Sequence, residues 1–260
     1  MYCNAYCPQF AGDFDLNRPL PREQEAILSL RVFLLMSTSL LSSEVFRIRD
    51  SGRTVHASLP DVLATLSAGD IDSFDGLRPH QERAWHCFLV QLAAISLPSG
   101  ESPPSSSEEW SSLLLRISQG PKSWNLISPD PTDPAFFQPP LPESDTLRDT
   151  YKNDVHYPDD LGVLISSTGH SVKPAQIRNP RPEHWAYALV TLQTTEGFIG
   201  RGNYGIARMN GGFGNRPLVT LSPDLSWSGS FRRDLEVLRQ RREQASDSAE
   251  ESGLEDESGL

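Results

Sequence analysis

The 260-residue chain is poor in cysteine, with Cys3, Cys7 and Cys87 alone. An odd, sparse count excludes a disulfide framework and fits a reducing compartment. Cys3-x3-Cys7 has no second ligand pair nearby, so free thiols are the better reading than a zinc site. Long hydrophobic runs are missing too. The most apolar N-terminal run, Ile27 to Leu41, is interrupted by Arg31 and is too short for a spanning helix. The acidic, proline-bearing sequence before it makes a poor signal-peptide n-region. A cytoplasmic protein without a membrane partner is the expectation. The chain also lacks Gly-x-Ser-x-Gly and a compelling Cys/His pairing, so nucleophilic catalysis finds no support.

Hydrophobic residues make up 37% of the sequence, enough for one sizeable core. Proline, at 21 residues, points to many irregular connections. The net charge of −11 is uneven: without the seven acids between Glu243 and Leu260 it becomes −4. Six basic residues against Glu183 and Glu196 give Lys173 to Arg216 a local +4. Arg232, Arg233, Arg239, Arg241 and Arg242 follow. An acidic total therefore does not exclude nucleic acid, because local field decides. Solvated surface and intramolecular pairs are the competing reading of these arginines.

The pattern predicts an α+β protein: a single mixed domain with short strands, several amphipathic helices, long irregular loops and a disordered acidic C-terminal tail. Residues 1–42 read as an N-terminal appendage, 43–242 as the domain and 243–260 as the tail. Glu44 to His56 reads as a hairpin turning at Asp50-Ser51-Gly52. Ser58 to Asp61 opens a helix with Val62, Leu63 and Leu66 inward and Gly69 at its end. Pro79 to Leu97 is an amphipathic helix with Trp85, Phe88, Leu89, Leu92 and Ile95 on one face, His80 and His86 being core or surface histidines. Glu108 to Ser118 is a short helix with Trp110, Leu113, Leu114 and Ile117 inward. Pro129 to Pro142, with six prolines, is a loop that plugs the core with Phe136 and Phe137. Leu161 to Ser166 reads as a strand, Pro182 to Thr195 as a helix, Leu218 to Leu221 as a strand, and Ser228 to Arg242 as the last helix, capped by Ser228 or Ser230. Asp154, His156, Asp159 and Asp160 read as loop capping and solvation rather than a metal site.

The stretch Gly197 to Arg216, GFIGRGNYGIARMNGGFGNR, holds seven glycines, three arginines and three asparagines. Glycine allows close approach of a ligand to the backbone, and arginine and asparagine supply forked donors. Gly200-x-Gly202-x-x-Gly205 matches the dinucleotide fingerprint as a string. The fingerprint needs a strand before and a helix after, whereas here a helix precedes and more glycines follow. The Gly-Lys-Ser/Thr ending of a Walker loop is absent. No cofactor is expected. Contact with a polyanion fits: Arg201, Arg208 and Arg216, with Lys173, Arg178 and Arg181 upstream, supply phosphate contacts, and Asn203 and Tyr204 reach base edges or stack. Contact with a protein fits the same residues, and both readings stay open.

The segment Lys152 to Leu238 resembles the large subunit of type I-E CRISPR Cascade, the CasA family. The resemblance is carried by LGVLISSTGHSVKPAQIR, by PEHWAYALVTLQTTEGFIGRGNYGIARMNGGFGNRPLV, and by PAFFQPP ahead of them. Its most specific part is GNYGIARMNGGF. It implies a non-catalytic subunit that helps recognise the target-adjacent DNA motif and docks on the guide-RNA complex. The implied partners are guide RNA, the backbone subunits, target double-stranded DNA and a helicase–nuclease. It also implies a nucleic-acid contact set of Gly200, Arg201, Gly202, Asn203, Tyr204, Arg208 and Asn210 in one loop, with Lys173, Arg178 and Arg181 in another. A scaffold role that keeps complex docking alone is the alternative. The family continues into a C-terminal helical bundle, so the resemblance implies a shortened form.

Overall fold

Two consecutive residues at positive φ, Ser51 at 49° and Gly52 at 78°, make the tight turn on which the β-sheet is built. The computed structural model describes residues 38–128, 130, 132–138, 140, 157–161, 177, 179–194 and 226–251, with 246–251 as backbone alone. The turn closes β1 (Phe46–Asp50) onto β2 (Arg53–Ala57), antiparallel, with Phe46 opposite Ala57 and Asp50 opposite Arg53. Phe46 and Ile48 face the core, as period-2 alternation requires. On the other side of β1 lies β3 (Ser73–Phe74), giving the order β2-β1-β3. The sequence reading missed β3, because two residues are too few to show an alternation.

Helix α1 (Leu59–Ala68) starts where its cap dictates. Ser58 Oγ accepts from the Asp61 N–H, and the Asp61 carboxylate accepts from the Ser58 N–H at 2.9 Å. This reciprocal box satisfies donors that the first turn leaves open. Val62, Leu63 and Leu66 are fully buried, as their spacing predicts. Helix α2 (Glu82–Ser96) buries Trp85, Phe88, Leu89 and Leu92, but Ile95 is 54% exposed. At about 100° per residue, Ile95 sits about 80° off Trp85, on the margin of the apolar stripe. Helix α3 (Ser107–Arg116) is capped by Ser106 and buries Trp110 and Leu114. Ile117, expected inward, is exposed: α3 ends at Arg116, so helical spacing no longer aims it.

The proline-rich loop behaves as its composition predicts. Phe136 is buried, with ring centroids 5.8 Å from Phe88 and 6.4 Å from Trp124. Gln138 is buried and donates through Nε2 to the Leu126 carbonyl. The segment Thr38–Leu41, assigned to an appendage, is integral to the same unit. Leu40 is fully buried, its N–H donates to the Trp124 carbonyl at 2.9 Å, and its own carbonyl accepts from Leu59 N–H at 2.8 Å. The folded unit thus includes residues ahead of the boundary at 43. Cys3 and Cys7 lie outside the described residues.

Helix α4 (Pro182–Thr194) is buried continuously from Ala186 to Gln193, so it runs through the core rather than along it. Tyr187 packs on Trp85 and Phe46, with centroids 5.0 and 5.8 Å away. Leu161, expected to open a strand, instead ends a 3₁₀ turn, Pro158–Leu161. The rest of that strand, and the strand at 218–221, lie outside the described residues. Helix α5 (Trp227–Glu251) is capped by Ser226, whose Oγ accepts from Gly229 N–H at 2.9 Å. Ser228 is not the cap; it is fully buried, and its Oγ accepts from Ile71 N–H. Ser230 is likewise inside the helix. α5 also continues past Arg242, so the acidic segment is helical as far as Glu251.

Among the described residues, five α-helices and a three-stranded antiparallel sheet share one core, a mixed α+β fold. No described helix is long and apolar enough to cross a membrane.

Candidate nucleic-acid interface

Of the residues read as contacts, Arg181 lies within the described structure. Lys173, Arg178, Gly200, Arg201, Gly202, Asn203, Tyr204, Arg208 and Asn210 lie outside the described residues, as does Arg216. What is described is the mount that carries both segments, helix α4. Arg181 directly precedes its first residue, and the glycine-rich stretch follows its last, Thr194. At 1.5 Å per residue, the 13 residues of α4 separate the two attachment points by about 18–20 Å.

The N-terminal attachment is held by a local ring. Arg181 N–H donates to His184 Nδ1 at 3.1 Å, and the Arg181 carbonyl accepts from His184 N–H at 3.1 Å. An accepting Nδ1 requires the Nε2–H tautomer of a neutral imidazole. Burial lowers the His184 pKa; Arg47 and Arg181 push the same way, against Glu183 and Asp159. Gly76, at φ 78°, lies against this ring so closely that a Cβ there would stand 2.5 Å from His184 Nε2. The Arg181 side chain is exposed and makes no ion pair among the described residues.

Behind the ring lie two buried carboxylates, each held by an arginine from another element. Glu183 accepts from Arg47 Nε at 2.8 Å, and Arg47 also approaches Asp75 at 3.8 Å. Glu183 therefore anchors α4 to β1 as well as favouring the positive end of the helix. Asp159 accepts from Arg78 Nη2 at 2.8 Å and from Ile177 N–H at 2.6 Å. Ile177 belongs to the basic segment Lys173 to Arg181. That segment is thus tethered twice, at Ile177 through Asp159 and at Arg181 through His184. Losing Arg78 from its buried pair with Asp159 costs about 3–5 kcal/mol, so the tether at Ile177 has a firm base. Asp159, Glu183 and His184 were not read as site residues. Asp154 and His156, which the sequence groups with Asp159 in a loop, lie outside the described residues.

The arginines near the C-terminus have intramolecular work. Arg232 donates to the Gly69 carbonyl at 3.0 Å, at the end of α1. Arg239 donates to the Pro98 carbonyl and Arg242 to the Ala94 carbonyl, both at 3.0 Å, at the end of α2. Neither helix has a basic residue in its own last turn, so α5 supplies the cations that oppose their negative ends. Arg233 pairs with Asp234 at 2.7 Å. His86, buried, places Nε2 2.8 Å from the Asp234 carboxylate. Burial pushes the Cys87 thiol pKa up, which keeps it protonated and unreactive. No group of three or more His, Cys, Asp or Glu that could hold a metal occurs among the described residues.

Compared with protein-family models, with curated proteins and with solved structures, the chain finds no match.

Proposed function

We propose that the chain is the non-catalytic large subunit of a Cascade-like RNA-guided CRISPR surveillance complex, contributing to recognition of the target-adjacent DNA motif and to docking on the guide-RNA complex. The observation that carries the reading is the run GNYGIARMNGGF at 202–213, with its flanking glycines and arginines. Backbone N–H groups of such a run approach phosphates or a minor groove, Arg201 and Arg208 supply charge, and Asn203 and Tyr204 supply base-directed groups. Sequence is then read mainly by guide pairing, the protein reading a short duplex element.

The mount supports this reading. A loop that reads DNA must be held at its root, because placement errors cancel the gain of each hydrogen bond. α4 supplies a core-buried root for the glycine-rich loop and, at its other end, for the basic segment.

The test is Arg201→Ala with Asn203→Ala in the assembled complex. Target-duplex binding falls about tenfold or more, the loss of about 1–3 kcal/mol of base-directed contact, while assembly is intact. Failed assembly, with unchanged DNA binding by the residual complex, assigns the loop to docking instead.

A further inference from the structure

Three carbonyls at and just past the end of α2, those of Ala94, Ser96 and Pro98, each accept from a different arginine. The donors are Arg242, Arg116 and Arg239, each at 3.0 Å. Arg116 comes from α3 and the other two from α5, so two elements bring cations to one helix end. Capping alone does not need three. The C-terminal dipole of a helix amounts to about half a negative charge and Glu243 adds one carboxylate, which leaves about +1.5 at this spot. None of the three makes an ion pair with a described carboxylate, whereas Arg47, Arg49, Arg78, Arg232 and Arg233 each do. Glu243, which accepts from Ser99 at 3.3 Å, brings one carboxylate to the edge of the patch.

We propose that Arg116, Arg239 and Arg242 form a contact patch for the phosphodiester backbone of a nucleic acid. A guanidinium has five N–H donors, and the carbonyl bond here occupies one on each. Arg116 and Arg242 are exposed and Arg239 is half-buried, so their remaining donors are within reach of a phosphate. The carbonyl bonds fix the forks in advance, which lowers the ordering cost of binding. Charge without base-reading groups makes this contact independent of sequence. The patch rests on the reading that the chain works against nucleic acid, but it uses none of the glycine-rich loop.

The experiment uses the full chain with two probes, a labelled RNA oligonucleotide of mixed sequence and a labelled duplex DNA, titrated across salt. In R116Q/R239Q/R242Q, the slope of log K against log salt becomes shallower by about 2 for the single strand, at about 0.7 per lost phosphate contact. R116K/R239K/R242K keeps the slope near that of the unmodified chain. The unmodified chain is also probed with an arginine-selective dicarbonyl, and saturating nucleic acid protects Arg116, Arg239 and Arg242 from reaction. Protection by RNA, by duplex, or by both identifies the source of the phosphate. Three results overturn the patch: an unchanged slope in a folded glutamine variant, equal arginine reactivity with and without nucleic acid, or no binding of either probe. The last leaves the loop proposal standing, since that one is read in the assembled complex with Arg201 and Asn203.

Discussion

His86 on α2 and Asp234 on α5 meet at 2.8 Å, Nε2 to Oδ2, with the imidazole 4% exposed. Burial lowers the His86 pKa below its ordinary 6.5, and the pull of Asp234 does not restore it, since Arg83 and Arg233 oppose it. At neutral pH the ring is therefore neutral and donates Nε2–H to the carboxylate. For Asp234, burial alone would raise the pKa, but hydrogen bonds from His86 and Arg233 outweigh it and the pKa falls. The pair is a neutral donor on an ionised acceptor, set between two helices.

This pair makes stability sensitive to acid. A histidine with a lowered folded pKa binds fewer protons folded than unfolded, so its contribution is complete above about pH 6.5 and is lost as pH falls through that value. Asp234 adds a loss of the same sign at lower pH, through the carboxylate range. His80 and His184 are also lowered, chiefly by burial, and act in the same direction. The melting temperature is thus level between about pH 7 and 8 and declines on acidification towards about pH 5.5. His86→Gln removes part of that decline. An identical pH profile for H86Q and the unmodified chain would contradict the assignment.

Gly76→Ala tests the ring that holds Arg181. The new Cβ would meet His184 Nε2 at 2.5 Å, at a backbone φ of 78° that alanine rarely takes. A destabilisation of about 1–3 kcal/mol is expected in urea unfolding. Because His184 Nδ1 accepts from the Arg181 amide, hydrogen exchange at Arg181 should quicken along with it. Faster exchange confined to other amides would place the strain elsewhere.

Leu40→Ala separates an appendage from an integral segment. Leu40 is fully buried, and its backbone links Trp124 to Leu59. Truncating such a side chain costs about 2–5 kcal/mol. Chemical denaturation should show a lowered midpoint with an unchanged slope. A midpoint equal to that of the unmodified chain would mean that the domain does not depend on residues before 43.

Local chemistry was the part most legible in the sequence. Ser58 and Asp61 stand three apart, and Ser51-Gly52 sits between two alternating runs, so the cap and the turn are written in neighbouring residues. Ile95 and Ile117 were misplaced because periodicity reports a face and not where its cover or its helix ends. The arginines at the C-terminal ends of α1 and α2 were not legible at all: Arg232, Arg239 and Arg242 reach carbonyls more than a hundred residues earlier in the chain. At the candidate site, the tie between Arg181 and His184 is local and in principle readable. The pairs Arg47–Glu183 and Arg78–Asp159 join distant segments, and charge alone does not say which partners meet.

The same distances bear on how the protein is made. The bonds from α5 to the ends of α1 and α2 span 163, 141 and 148 residues. During synthesis, both helices leave the ribosome long before Arg232 is added. Until then, the carbonyls of Gly69, Ala94 and Pro98 have water as their partner in place of α5. Contacts of such separation close late and slow the final step of folding. A nascent chain that stops before Ser226 therefore exposes the core faces that Phe231 and Leu235 cover, and chaperones that bind apolar surface would hold it longest at that stage.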